Sequence, residues 1–211
     1  MDKNRFRYSK TGKAIYISHL DLMAVMQRSL IRAEVNLKYS EGFNPHPYMS
    51  VALPLSIGTE SLCELMDVRV ADAELPDINL LKLPDGIKIL EIYFPERKFS
   101  EISWIEVSGI LYYDKKADAD ILLSLKERFA QKSIVIPKRT KRGYKDLDIA
   151  PYIKNVDFRF GKNIEITAMI SAQNPTLNTE DLVNALDNAA KPVYSEMKRI
   201  AVYDSNMVIF R

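Results

Sequence analysis

The chain holds two histidines, His19 and His46, and each lies among residue types that can move protons or grip an anion. His19 belongs to Ser18-His19-Leu20-Asp21. There Ser18 is a good N-cap, and Asp21 three residues on completes a capping-box-like arrangement at the positive end of a helix dipole. His46 belongs to Gly42-Phe43-Asn44-Pro45-His46-Pro47. Its two prolines fix the local backbone and remove two amide donors, which predicts a rigid, irregular loop. Imidazoles that titrate near neutrality suit general acid and base work. Convergence of the two segments across a strand end would make His19 and His46 a catalytic pair oriented by Asp21, Asn44, Tyr39 and Ser40. In the plainer reading, His19 helps cap its helix and His46 bonds backbone in a tight loop. Ser18, Asp21, Gly42, Phe43, Asn44, Pro45 and Pro47 are the residues expected to line a binding loop beside the helix start. Neither H-x-x-x-H nor H-E-x-x-H spacing occurs, so no metal site is predicted.

A second cluster is electrostatic. Lys138-Arg139-Thr140-Lys141-Arg142-Gly143-Tyr144-Lys145 places five cations in eight residues with Tyr144 among them. That composition can hold phosphates while an aromatic ring stacks on a base, so Lys138, Arg139, Lys141, Arg142, Tyr144 and Lys145 are predicted RNA contacts. A solvated face is the competing reading. Net charge is only +2, but residues 1–95 hold 11 Lys+Arg against 12 Asp+Glu, whereas residues 96–211 hold 19 against 16. The positive surplus therefore belongs to the second half and centres on this loop.

Other chemistry is absent from the sequence. There is no G-x-x-x-x-G-K-[ST], G-x-G-x-x-G or G-x-S-x-G, which removes the usual phosphate-cradling loops and the nucleophile elbow. No cofactor is predicted. The one cysteine, Cys63, rules out a disulfide framework and any cluster built from several thiolates of this chain, and reads as a small buried hydrophobe. The first residues are polar, and no apolar run reaches the roughly 18 residues a membrane helix needs. The expectation is a cytoplasmic protein without a membrane partner.

These segments need elements to position them. Arg5 to Tyr8 alternates as a strand, and Ala14 to Ile17 reads as a short extended piece. Residues 18–34 carry Leu20, Met23, Met26, Leu30 and Ile31 at helical spacing. Strands follow at Leu37 to Ser40, Met49 to Leu53 and Leu62 to Val70, then a short helix at Ile78 to Leu83 and a strand at Ile87 to Phe94. Periodicity breaks at Pro95 to Ser100. The second round gives a strand at Ile105 to Tyr113, a helix at Ala117 to Phe129, and a strand at Ile134 to Pro137 before the basic loop. A hairpin at Val156 to Ile170, a helix capped by Thr179 and a strand at Arg199 to Tyr203 complete it. The pattern predicts an α+β protein of two ferredoxin-like βαββαβ halves, 1–97 with the His19 and His46 segments and 98–211 with the basic loop. A single continuous α+β sheet fits the same pattern.

Several strings occur in order over about 50 residues: Tyr8-Ser9-Lys10-Thr11-Gly12, Ile17-Ser18-His19-Leu20-Asp21-Leu22-Met23, Tyr39-Ser40-Glu41-Gly42-Phe43-Asn44-Pro45-His46-Pro47, then Ala52-Leu53-Pro54-Leu55 and Gly58. Together they resemble the radical-SAM-linked family of bacterial proteins, a domain of unknown function found fused to or encoded beside radical-SAM proteins. Asp146-Leu147-Asp148-Ile149-Ala150-Pro151-Tyr152-Ile153 resembles that family's later segment. The resemblance implies a radical-SAM protein as partner and a role near RNA. It does not imply a cluster in this chain, since that class takes three closely spaced cysteines. The expected function is a non-catalytic RNA-binding or substrate-presenting accessory protein. The alternatives are a metal-independent endoribonuclease or RNA-modifying enzyme using His19 and His46, and an interaction module for the radical-SAM partner.

Overall fold

The structure, a computed structural model, describes residues 2–71, 74–114, 118–140 and 143–211. It is a mixed α+β fold, mostly antiparallel sheet with few helices, and divides into two compact units: residues 1–101 with Arg211, and residues 102–210.

In the first unit, Phe6 and Tyr8 alternate with Arg5 and Arg7 along β1 (Lys3–Lys10). Its neighbours are β3 (Thr59–Arg69) and β4 (Ile87–Tyr93), both antiparallel to it. A short β2 (Met49–Val51) adds to β3, giving the order β4-β1-β3-β2. Helix α1 (His19–Arg32) lays Leu22, Met26 and Leu30 into a core with Phe6, Tyr8, Met66, Val68 and Ile89. The spacing of these three helix residues is the apolar stripe of an amphipathic helix.

On the other face of β1 the alternation leads to charge. The Arg5 guanidinium donates from Nε to Asp67 Oδ1 at 2.7 Å and from Nη2 to Asp67 Oδ2 at 3.1 Å, its register partner on β3. It also donates to the Arg97 carbonyl at 2.8 Å and lies 4.2 Å from the centre of the Phe99 ring. The pair is enclosed, with side-chain exposures of 0% and 6%, and its bidentate geometry satisfies both carboxylate oxygens.

Three expected elements differ. The piece at Ala14 to Ile17 is not extended: Gly12–Tyr16 is a 3₁₀ turn, made possible by Gly12 at φ +55°. The expected strand at Leu37 to Ser40 is reduced to isolated bridges, Leu37 with Val70 and Tyr39 with Pro47, because Pro47 supplies no amide for a continuing ladder. The predicted helix at Ile78 to Leu83 is a single 3₁₀ turn, Ile78–Leu80, whose start is capped by Asp77.

In the second unit, β5 (Trp104–Tyr112), β8 (Ile153–Phe160), β9 (Ile164–Ser171) and β10 (Tyr194–Tyr203) form the order β10-β5-β9-β8, again all antiparallel. Helix α2 (Ala119–Phe129) buries Leu125, and the ring of Phe129 meets Phe158 of β8 at 5.6 Å. Helix α3 (Thr179–Asn184) starts one residue after its cap, Asn178, which with Asp181 forms a reciprocal capping box. The cap is thus Asn178 and not Thr179.

The segment expected as a basic loop is a correction of substance. β6 (Val135–Thr140) and β7 (Gly143–Asp148) form a separate two-stranded ribbon, paired from Val135 with Asp148 to Thr140 with Gly143. Its charged residues hid strands from a reading based on apolar alternation.

Candidate nucleic-acid interface

At the start of α1 the local chemistry is used for structure. Ser18 Oγ accepts from the Asp21 amide at 3.2 Å and donates to Asp21 Oδ2 at 2.7 Å, so both side chains are committed to the cap. Lys10, buried on β1, donates to the carbonyls of Ile17 at 2.6 Å and Ile15 at 3.5 Å. It fixes the turn that launches the helix. Burial lowers the Lys10 pKa, opposed by the Glu64 carboxylate. His19 is exposed beside this cap.

The His46 loop is closed at its neck. The Ser40 amide donates to the His46 carbonyl at 2.8 Å, and the His46 amide donates to Ser40 Oγ at 3.0 Å. Below the neck, Lys38 N–H reaches the Arg69 carbonyl, Arg69 N–H the Tyr48 carbonyl and Tyr48 N–H the Lys38 carbonyl, so three segments lock at the end of β3. The Arg69 guanidinium lies 5.1 Å from the Tyr48 ring centre. Gly42 takes φ +118° to turn the tip, and Phe43 beside it is fully exposed at 111%. Glu41, Asn44, Pro45 and His46 are exposed as well.

These contacts place the histidines at opposite ends of one sheet. His19 follows Ile17 at the end where Lys10 pairs with Ser61; His46 sits at the end where Lys3 pairs with Arg69. From Ser61 to Arg69 the strand covers roughly 26 Å at about 3.3 Å per residue. The expected convergence is therefore not found, and the two imidazoles do not flank one phosphate. Among the described residues neither imidazole has a hydrogen-bond or ion-pair partner, and no group of three or more metal-ligating side chains occurs.

The ribbon sorts its residues by face, because directly opposed residues share one. Ile136, Lys138, Leu147 and Lys145 share one face; Ile136 is buried. Lys138 is not free: its ammonium makes a short ion pair with Asp181 and donates to the Thr176 carbonyl at 2.8 Å. Lys138 thus latches the ribbon to the α3 cap. On the other face Arg139 stands directly opposite Tyr144, flanked by Val135 and Pro137; all are exposed, Tyr144 at 75%. Lys145 is also exposed. Lys141 and Arg142 lie outside the described residues.

The root of the ribbon is held by Asp148, which accepts from the Ile134 amide at 2.8 Å and the Ala150 amide at 3.1 Å. The Ile134 amide, then the Ser133 hydroxyl, hold its carboxyl below the usual value against desolvation, with a lesser contribution from the Ala150 amide. In the sequence this carboxylate stood out only as part of the Asp146 to Ile153 segment, with no sign of its anchoring role.

The pattern of a family described as "Uncharacterized protein conserved in bacteria (DUF2344)" matches residues 3–180. The chain belongs to this family. The match runs from the start of β1 into the first turn of α3, so the family segment takes in both the His46 loop and the ribbon. No curated protein matches the chain. Among solved structures, a chain of the crystal structure of a Cbf5-Nop10-Gar1 complex is similar with a TM-score of 0.55 and 10% identity, over 94% of this chain and 48% of that one. The chain thus spans about half the length of that neighbour, and at such identity the likeness is one of fold. Among the described residues no helix is long and apolar enough to cross a membrane.

Proposed function

We propose that this protein is a non-catalytic RNA-binding accessory protein that works with a separate radical-SAM enzyme, and that the ribbon β6–β7 is its RNA contact. One observation carries the reading: Arg139 and Tyr144 stand side by side on an exposed face of a two-stranded ribbon. A guanidinium can hold a phosphate while the adjacent ring stacks on a base, the combination that single-stranded RNA recognition uses. Lys145 adds charge on the other face. Each unit is read as a ferredoxin-like half, supported by the shared strand order in which the first strand lies between the fourth and the third. The radical-SAM partner rests on the sequence resemblance and on the single cysteine of this chain. Separation of His19 from His46 counts against an acid/base nuclease.

The test is salt-dependent binding of a single-stranded oligoribonucleotide by the full chain and by an Arg139→Ala/Tyr144→Ala variant. Loss of the stack should cost about 1–3 kcal/mol of affinity. Loss of the cation should flatten the salt slope by about one phosphate's share. Equal affinity and slope for the two proteins would end the proposal.

A second reading is favoured by Phe43. A fully exposed aromatic at the tip of a loop with a locked neck is suited to filling a pocket on another protein, here the radical-SAM partner.

A further inference from the structure

An open concavity of about 430 Å³ lies in the first unit between α1 and the segment at residues 82–84, lined by Val25, Arg28, Arg32, Lys82, Leu83 and Pro84. Val25, Arg28 and Arg32 fall three and four residues apart, so they share a helix face beside the buried stripe of Leu22, Met26 and Leu30; Val25 packs partly on that core, and Arg28 and Arg32 are exposed. Three of the six lining side chains are cations and none is a carboxylate. Among the described residues Arg28 and Lys82 have no ion-pair or hydrogen-bonding partner for their charge. Arg32 is tied, donating from Nη2 to the Lys82 carbonyl at 2.9 Å. A neutral acceptor does not cancel the charge, and a guanidinium keeps its other N–H donors for a ligand.

This arrangement is unfavourable by itself. Two arginines four apart on a helix repel, and a third cation on the same concavity adds to the repulsion. An anion seated among them would relieve it. The tether on Arg32 also holds one guanidinium in place, which lowers the ordering cost of binding. Val25, Leu83 and Pro84 supply an apolar wall next to the charges, and Leu83 is packed on the core of the unit.

The geometry points to a phosphate-binding site formed by Arg28, Arg32 and Lys82, taking a phosphate ester whose less polar part lies on Val25, Leu83 and Pro84. This site is separate from the ribbon and does not depend on the ribbon's binding RNA. A guanidinium pair matches the fork geometry of phosphate oxygens, and Lys82 adds a point charge. Such a group can come from a free ester or from the backbone of a single strand.

The experiment titrates the full chain with inorganic pyrophosphate and, separately, with a short oligouridylate at low salt. Three variants accompany it: Arg28→Gln/Lys82→Gln in the concavity, Lys13→Gln/Lys88→Gln as an equal charge loss on exposed residues outside it, and Arg139→Ala/Tyr144→Ala in the ribbon. Thermal melting checks that each variant folds. Pyrophosphate should bind saturably and weaken by at least about tenfold in the concavity variant, since each lost charged hydrogen bond is worth about that much. The other two variants should bind it like the parent. Oligouridylate weakened by the concavity variant as well would identify a strand backbone as the source, and oligouridylate left unchanged by it would identify a free ester. No saturable pyrophosphate binding, or equal weakening by the two charge-removing variants, would overturn the site.

Discussion

Arg5 and Asp67 illustrate what a single residue can and cannot reveal. The alternation that puts Arg5 opposite to Phe6 was legible, as was Asp67 on its own strand. That both would be enclosed was not, because burial of the second face depends on Arg97 and Phe99, residues far along the chain that carry no strand periodicity. A buried, bidentate ion pair is costly to break one-sidedly, since the remaining charge keeps its desolvation cost and loses its partner. Asp67→Ala should therefore destabilise the protein by about 3–5 kcal/mol in denaturant unfolding. A loss below about 1 kcal/mol, the range of an exposed pair, would show that the site is open to water. His19 and His46 teach the converse. Their types were informative, but their relation was a question of strand direction, and only the register of β1 with β3 answers it.

At the level of elements, helix α1 was readable almost to its ends because cap and dipole agree: Ser18 caps it and Arg32 closes it. Its buried face was read only in part: Met26 and Leu30 are buried and Met23 partly so, but the expected Leu20 and Ile31 are exposed, and Leu22 is buried instead. The ribbon was not readable. Its strands carry charge where a half-buried strand carries apolar residues, and beside the buried Ile136 their pairing is anchored by hydrogen bonds at the root. Asp148 is that anchor. Its carboxyl titrates below the ordinary value of 3.8 in the folded protein. The unfolded chain therefore takes up the proton first as pH falls, and the contribution is complete above about 3.8 and lost as pH drops through the lower folded value. Replacing Asp148→Asn should remove this part of the acid dependence. Denaturant midpoints measured between pH 5 and pH 2 should fall less steeply for the variant. Parallel acid limbs in the two proteins would rule out the anchoring role.

For the molecule as a whole, the α+β class and most of the main strands followed from hydrophobic periodicity, which reports local burial well, whereas the expected second helix of the first unit is a single 3₁₀ turn and the ribbon was not foreseen. Small connecting pieces did not follow. The turn at Gly12–Tyr16 depends on Lys10 reaching back to two carbonyls, and the bridges at Leu37 and Tyr39 depend on the path of a proline-rich loop. That loop presents Phe43 outward, an arrangement with no use inside the fold. Phe43→Ser should leave the melting temperature and oligoribonucleotide affinity unchanged while weakening capture of the proposed radical-SAM partner. Unchanged capture would remove the loop from any such interface, and a lowered melting temperature would show that the ring packs in the unit after all.

The strand order of the second unit also sets a timetable. β5 cannot gain either of its neighbours from nearby chain, because β9 and β10 are both made of residues far beyond it. The ladder must wait for long loops to close, whose entropy is lost before any pairing repays it. The two strands of the ribbon are neighbours in the sequence, and so are β8 and β9. These two local hairpins can zip within microseconds, whereas the four-stranded sheet belongs to the slower, topology-limited regime of folding.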